Sequence, residues 1–355
     1  MEGSIVMNGG EGPKSYFRNS KLQKIFLDGA MILLMNSIEE SLDLKNRTKI
    51  FSIADLGCST GPNTFFCVNH MIEAVQQKYD NTLCPDDEPE FHVFFNDQVG
   101  NDFNTLFKSL PSKRQYMAAG VPGSFYRRLF PRSSMNLIHS SISLHWLQRV
   151  PEGVMNKDSP YWNKGRITYA KSPTQVVNAF RDQFFRDLKD FLKARSEELV
   201  PGGLLAMIML GRPEGTSPPE AIHIHTMECL GDAASDLVKE GVMGEDVVDS
   251  FNLPVFFPAL SEVEQVLDSF KQYLTIERLQ EIDAPIGRLD AQFLSAHFRA
   301  ILQGTVCEHF GPKLTEQIFD KFPHKLESFM NTKDFARPGK ATHQFALVKR
   351  KDVPS

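Results

Sequence analysis

The stretch Ile53-Ala54-Asp55-Leu56-Gly57-Cys58-Ser59-Thr60-Gly61-Pro62-Asn63 decides the fold. The apolar block leading into it, Ile50-Phe51-Ser52-Ile53-Ala54, reads as a buried strand that closes at Asp55. Gly57 and Gly61 then form a turn where backbone can approach a ligand closely. Pro62 stands at the entry of the next element, where a missing N–H costs nothing because first-turn donors have no helical partner. From Phe65 to Tyr79 apolar residues resume a helical period, so the segment reads strand, glycine turn, helix.

Outward from this unit, Glu90 to Phe95 reads as a second buried strand closing at Asn96-Asp97, Met135 to Ser140 as another, and Leu204 to Leu210, introduced by Pro201-Gly202-Gly203, as a further one. Residues 21 to 44 carry apolar positions at helical spacing and predict a long helix ahead of the first strand. Near-continuous apolar strands alternating with helices predict an α/β fold: a doubly wound, mostly parallel sheet covered on both faces. Tyr273 to Arg278 and Gln344 to Lys349 alternate apolar and polar residues, as an antiparallel edge hairpin would. The segments 213–269 and 291–327 are rich in helix formers and lie outside the alternation. They are expected to form a helical cap over a core of residues 1–212, with 270–290 and 328–355 supplying the terminal strands.

The spacing of the first loop restricts its ligand. A dinucleotide fingerprint is G-x-G-x-x-G with an acid about 20 residues later. Here the spacing is D-x-G-x-x-x-G, and the next acid at a strand end, Asp97, comes much later. S-adenosylmethionine fits better than NAD, because its sulfonium, amino-acid tail and ribose call for acids and carbonyls rather than a phosphate cradle. Asp55 and Gly57 then belong to the cofactor loop, and Asp97 is placed to accept from the ribose hydroxyls. A plain strand-to-helix turn with no ligand is the alternative that the loop alone leaves open.

Composition narrows the partners. A formal net charge of −5 over 355 residues leaves no overall basic footprint for a phosphate backbone, so nucleic acid is not expected as a partner. The five cysteines are scattered, odd in number and without a C-x-x-C pair, as reduced thiols of a cytoplasmic protein would be. No stretch approaches the roughly 18 apolar residues of a membrane span, and the N-terminus lacks a basic region followed by an apolar run. The expectation is a cytoplasmic protein with no membrane partner.

Several longer motifs stand in a fixed order: Ser15-Tyr16-Phe17-Arg18-Asn19-Ser20-Lys21-Leu22-Gln23, IADLGCSTGPNT (53–64), FFND (94–97), NDFN (101–104), VPGSFYRRLFP (121–131), HSSISLHWL (139–147), NKG (163–165) and DSFNLP (249–254). In that order they resemble the SABATH methyltransferases, the plant salicylate, benzoate and theobromine methyltransferases and their relatives. The resemblance runs over nearly the whole chain. It implies a homodimer and methyl transfer to a carboxylate or, in the caffeine branch, to a ring nitrogen.

Position by position, the resemblance places Tyr16, Ser20, Cys58, Asn63, Asp97, Gln98, Ser124 and Phe125 around S-adenosyl-L-methionine, with Phe125 against the adenine. Gln98 departs from the family's usual leucine, which puts a packing role for its side chain in doubt. Without the resemblance, Ser124 and Phe125 read equally as turn and core. Gln23 and Trp146 match a pair resembling a carboxylate clamp; an amide N–H and an indole N–H orient an anion without trapping it in an ion pair. Ile142 and His145 stand where salicylate-type members carry other residues, so an acid other than salicylate is expected. A carboxylate is already ionised at neutral pH, so His145 is read as a shape and hydrogen-bonding residue rather than a base, with a satisfied structural histidine as the alternative. Asn178, Asp249, Phe251 (through its carbonyl) and Asn252 match a Mg²⁺ set of some relatives. The cap, with Phe256, Phe257, Phe298 and Ile301, is expected to supply apolar walls.

The reading that follows is an S-adenosylmethionine-dependent O-methyltransferase that forms the methyl ester of a small carboxylic acid. Methylation of a xanthine-like ring nitrogen is the alternative, and a silent cofactor-binding protein is a third. Aromatic, indole, terpenoid or iridoid, and jasmonate-like acids all remain candidates.

Overall fold

The computed structural model describes residues 5–44, 49–82, 88–283, 290–332, 335 and 342–352. Cys84, and residues 284–289, 333–334, 336–341 and 353–355 of the terminal-strand segments, lie outside the described residues. A short helix α1 (Tyr16–Asn19) and a long one, α2 (Lys21–Ser41), precede β1 (Ile50–Leu56), α3 (Pro62–Asp80), β2 (Glu90–Asp97), α4 (Phe103–Lys108), β3 (Tyr116–Pro122), β4 (Met135–Ser141), α5 (Thr174–Glu198) and β5 (Leu199–Gly211). Then follow α6 (Ile222–Lys239), α7 (Glu245–Asp249), α8 (Leu260–Asp268), β6 (Leu274–Asp283), α9 (Ala291–Met330) and β7 (Thr342–Arg350).

Among the described residues seven strands form one sheet in the order β3-β2-β1-β4-β5-β7-β6. β1 to β5 are parallel, and β7 enters antiparallel between β5 and β6. Side chains alternate between two cores, as strand geometry requires. Phe51 and Ile53 of β1 and Leu204, Ala206 and Ile208 of β5 pack with α2 and α3 on one face. Ala54, Leu56, Leu205, Met207 and Met209 pack with α5, α6 and α9 on the other. Both faces being covered explains why these strands read as continuous apolar runs.

Three features depart from the sequence reading. β3 carries no strong strand signal; it is an edge strand whose Met117 is 65% exposed, so its apolar alternation is weak. β6 and β7 do pair antiparallel, but the connection is α9 rather than a hairpin turn. α8, placed by sequence in the cap, packs against α5 and β6 at the sheet, while α6 and α9 pack together. α9 itself breaks at Gly311 (φ 74°, ψ 164°), where Pro312 follows and cannot donate to the preceding turn.

The order 3-2-1-4 sends the chain outward from β1 on one side and then back to β4 on the other. β1 and β4 are therefore parallel neighbours across the switch, and a crevice opens beyond their C-terminal ends. The loop after β1 and the residues after β4 meet there.

Candidate active site

Three cavities share this crevice, and Tyr16 and Ile142 line all of them. The first lies against the β1 loop and includes Gln23, Asp55, Gly57, Cys58, Asn63 and Thr64. The second runs along Ser59, Asp97, Gln98, Phe125, Tyr126 and Trp146. The third reaches under the cap, between Leu22, Gln23, Phe26, His145 and Trp146 on one side and His223, Met227, His297, Phe298 and Ile301 on the other.

The β1 loop is held from two directions. The Gly57 and Cys58 amides donate to the Asn96 carbonyl, at 2.9 and 3.0 Å. Asp97 accepts from the Ser59 amide through Oδ2 and from the Gln98 amide through Oδ1, each at 2.7 Å, so its carboxylate is fixed at the cavity edge. Ser59 sits at φ 49°, in the left-handed region that most residues avoid, which turns its amide toward Asp97. Gly57 has φ 86°, and a Cβ there would lie 2.1 Å from Ser143 Oγ and 2.7 Å from Ser143 Cβ. Gly57→Ala is accordingly expected to cost roughly 1–2 kcal/mol in backbone strain alone, with displacement of Ser143 in addition. Calorimetric titration of that variant with S-adenosylhomocysteine should show at least about tenfold weaker binding.

Asp55 plays a different part from Asp97. It faces His139 across the β1–β4 register, accepts from His139 Nδ1 at 2.7 Å, and accepts from Thr64 Oγ1 with its other oxygen. Both oxygens are engaged, so Asp55 ties the loop, α3 and β4 together from below. Asn63 donates to the Ser20 carbonyl at 3.0 Å and joins α3 to the start of α2. Ser20 and Ser124 line none of the three cavities; Ser124 Oγ instead accepts from the Tyr126 amide. The Cys58 thiol is pushed well above its usual range by burial, then by Asp97 and Asp55, and stays protonated.

Burial also raises Asp97 to about 6, against the opposing pull of the Ser59 and Gln98 amides. If ribose hydroxyls bind the ionised carboxylate, affinity is flat above that value and falls as protons neutralise the group below it. Binding of S-adenosylhomocysteine, which lacks the sulfonium charge, should lose about tenfold per pH unit below 6 and be flat above pH 7. Calorimetry across pH 4.5 to 8 checks this; the same slope in an Asp97→Asn variant would assign it elsewhere.

The acceptor side is built around residues 145–148. His145 O accepts from the Phe256 amide and Leu147 N donates to Pro254 O, at 2.9 and 2.8 Å, and Trp146 bridges to Val255. The Tyr126 hydroxyl donates to the Trp146 carbonyl. Asp187, buried in α5, accepts from Gln148 N at 2.9 Å. Trp146 is thus a rigid wall shared by the second and third cavities. Gln23 is 6% exposed, and its Oε1 has no hydrogen-bond partner among the described residues.

His145 stacks on Phe257 at 5.5 Å between centroids and 19° between planes, and its Nδ1 is likewise unpartnered. It is not a satisfied structural histidine. Burial, with His223 and His343 adding, drives it down to about 3, so it stays neutral and cannot retain a proton taken from a substrate. Phe298 and Ile301 line the third cavity as expected, but Phe256 and Phe257 are fully buried and support the wall from behind. The sequence reading missed His223, Met227 and His297, whose spacing on apolar helix faces is indistinguishable from core.

The proposed magnesium residues stand away from these cavities. Asp249 accepts from Gly165 N at 2.6 Å, and Asn252 Oδ1 accepts from Asn163 Nδ2 at 2.7 Å. The atom of Asn252 left buried without a partner is Nδ2, a donor, whereas a hard cation needs oxygen. Asp249 Oδ1 and Asn252 Oδ1 each already accept one hydrogen bond within the protein, and no step is routed through a cation.

Comparison with known proteins agrees with this geometry. A family model described as SAM dependent carboxyl methyltransferase matches residues 2–350. Loganic acid O-methyltransferase of Catharanthus roseus is 41% identical, over 97% of this chain and 94% of its own length. Farnesoic acid carboxyl-O-methyltransferase of Arabidopsis thaliana is 36% identical over 99% of this chain and all of its own (100%). The solved structure of loganic acid methyltransferase with SAH superposes with a TM-score of 0.92 at 40% identity, covering 97% of this chain and 98% of that one. The chain belongs to the SAM-dependent carboxyl methyltransferase family, the SABATH group whose motifs it carries, and is an enzyme that transfers the methyl group of S-adenosylmethionine to the carboxylate of a small acid.

Proposed function

We propose that the acceptor is a small acid bearing hydroxyl groups, of the kind represented by loganic acid, with its carboxylate held by Gln23 and Trp146. The observation that carries this is the third cavity, lined by His145 and His223 among apolar walls, each with a buried ring nitrogen (His145 Nδ1, His223 Nε2) that has no partner among the described residues. A hydroxylated acid satisfies these nitrogens, whereas a purely hydrocarbon acid leaves them dry, at about 1–3 kcal/mol each. Tyr16, Ser20, Asp55, Gly57, Cys58, Asn63, Asp97, Gln98, Ser124 and Phe125 hold or support the cofactor, and Ile142 and His145 shape the acceptor end. The homodimer assignment rests on the family resemblance, and the cytoplasmic one on the scattered, odd-numbered cysteines.

When bound, S-adenosylmethionine supplies a methyl carbon on a sulfonium, which departs as a neutral thioether. Gln23 and Trp146 aim one carboxylate oxygen along the line of the departing sulfur; an O–C bond forms, an S–C bond breaks and no proton moves. Ile142, shared by all three cavities, stands where cofactor and acceptor meet. The gain is one of alignment in a dry site.

The test uses radiolabelled S-adenosylmethionine with loganic acid, farnesoic acid, salicylate and 3,7-dimethylxanthine. Label released as methanol by mild base, with kcat/KM for the hydroxylated acid about 10- to 100-fold above that for farnesoic acid, is expected. Preference for farnesoic acid would remove the histidine argument. Base-stable label on the xanthine would move the enzyme to nitrogen methylation.

A further inference from the structure

α5 ends in an ion pair that is completely buried. Arg195 and Glu198 are both 0% exposed, and Arg195 Nε donates to Glu198 Oε2 at 2.7 Å. The remaining bonds of the pair all run to one loop. Arg195 Nη1 donates to the Phe125 carbonyl at 2.6 Å and Nη2 to the Arg127 carbonyl at 2.9 Å. Glu198 Oε1 accepts from the Leu129 and Phe130 amides, at 2.5 and 3.0 Å.

A buried ion pair is poor evidence for stability, because desolvation offsets most of the Coulomb attraction and apolar replacements often serve as well. Its value lies in direction. The guanidinium fork and the carboxylate each have fixed geometry, so together they fix the backbone at four positions of a segment with no regular secondary structure of its own. The Phe125 ring is also held edge-on by Phe191, at 6.1 Å, and Arg195 lies over that same Phe191 ring. Phe125 lines the second cavity, and its neighbour Tyr126 bonds the Trp146 carbonyl.

We infer that Arg195 and Glu198 are positioning residues for cofactor binding: the pair presets Phe125 as the adenine wall before the cofactor arrives. The inference rests on the placement of the cofactor beside Phe125 in the proposed function. Neither residue touches the cavities, so the effect passes through the loop.

The experiment uses the full-length enzyme. Arg195→Met combined with Glu198→Gln removes both charges but keeps an acceptor for the Leu129 and Phe130 amides; Arg195→Lys keeps the charge and loses the fork. Each is expected to raise the calorimetric Kd for S-adenosylhomocysteine about tenfold while the KM for the acid, at saturating cofactor, changes less than about threefold. A merely structural pair would instead lower the melting temperature and move both constants together. Phe125→Ala separates the two levels. If it weakens S-adenosylhomocysteine binding and the folded Arg195 variants do not, the positioning role is overturned; if Phe125→Ala has no effect either, the cofactor placement is what fails. Should neither Arg195 variant fold, hydrogen exchange in the unaltered enzyme decides. The Leu129 and Phe130 amides should exchange as slowly without cofactor as with it, and fast exchange in the free enzyme overturns the inference.

Discussion

Replacing Asp97 by alanine is expected to weaken S-adenosylhomocysteine binding about 100-fold and to raise the KM for S-adenosylmethionine similarly, with kcat at saturation reduced far less. A hydrogen bond to a charged group contributes about 1.5–3 kcal/mol, so loss of the ribose contacts accounts for one to two decades. The carboxylate also anchors the Ser59 and Gln98 amides, and without it Ser59, at φ 49°, keeps only the bonds to its carbonyl, chiefly that from Asn101 Nδ2 at 3.0 Å. Its loss therefore loosens the loop as well as the ligand. Asp97→Asn keeps one acceptor oxygen and should fall between. Titration calorimetry with saturation kinetics tests this, and a change in Kd below about threefold would mean that the ribose is held elsewhere.

The second large effect is expected at the carboxylate. Trp146→Phe removes the indole N–H and keeps most of the bulk; Gln23→Leu removes the amide and keeps the length. Each should lower kcat/KM for the acid about 30- to 100-fold, within the range for losing a donor to a charged group, while the Kd for S-adenosylhomocysteine stays within about threefold of normal. The double variant should fall short of the product of the two, since both donors serve one anion. Because Trp146 also lines the second cavity, Trp146→Ala is the less informative change. Equal loss of cofactor affinity in Gln23→Leu would contradict the clamp and place Gln23 in the cofactor cavity, which it also borders.

Much of this site is written locally in the chain. The acid, the glycines and Pro62 between β1 and α3 announce their geometry through constraints that act over a few residues: a positive φ at Gly57, a missing N–H at Pro62, an apolar run before Asp55. The strands around them are legible because burial on both faces leaves few polar positions within each run. β3 escaped because, among the described residues, one edge of it meets no partner strand, and Met117 faces outward. α8 escaped because amphipathic periodicity tells which face is buried and not against what.

The sequence by itself therefore determined the sheet class, the cofactor loop and, through motif order, the family, since these follow from short-range backbone constraints and from burial patterns. Only the tertiary structure decided what the separate pieces do together. It engages both Asp55 oxygens with Thr64 and His139 while leaving Asp97 at the cavity edge. It brings His145 from after β4 and His223 from α6 to one cavity, with unpartnered nitrogens. It also spends a buried ion pair from the end of α5 on the loop that carries Phe125. The physical reason is the same in each case: desolvation and hydrogen-bond partnership are properties of neighbours in space, and the crossover from β3 to β4 makes neighbours of residues that the chain keeps far apart.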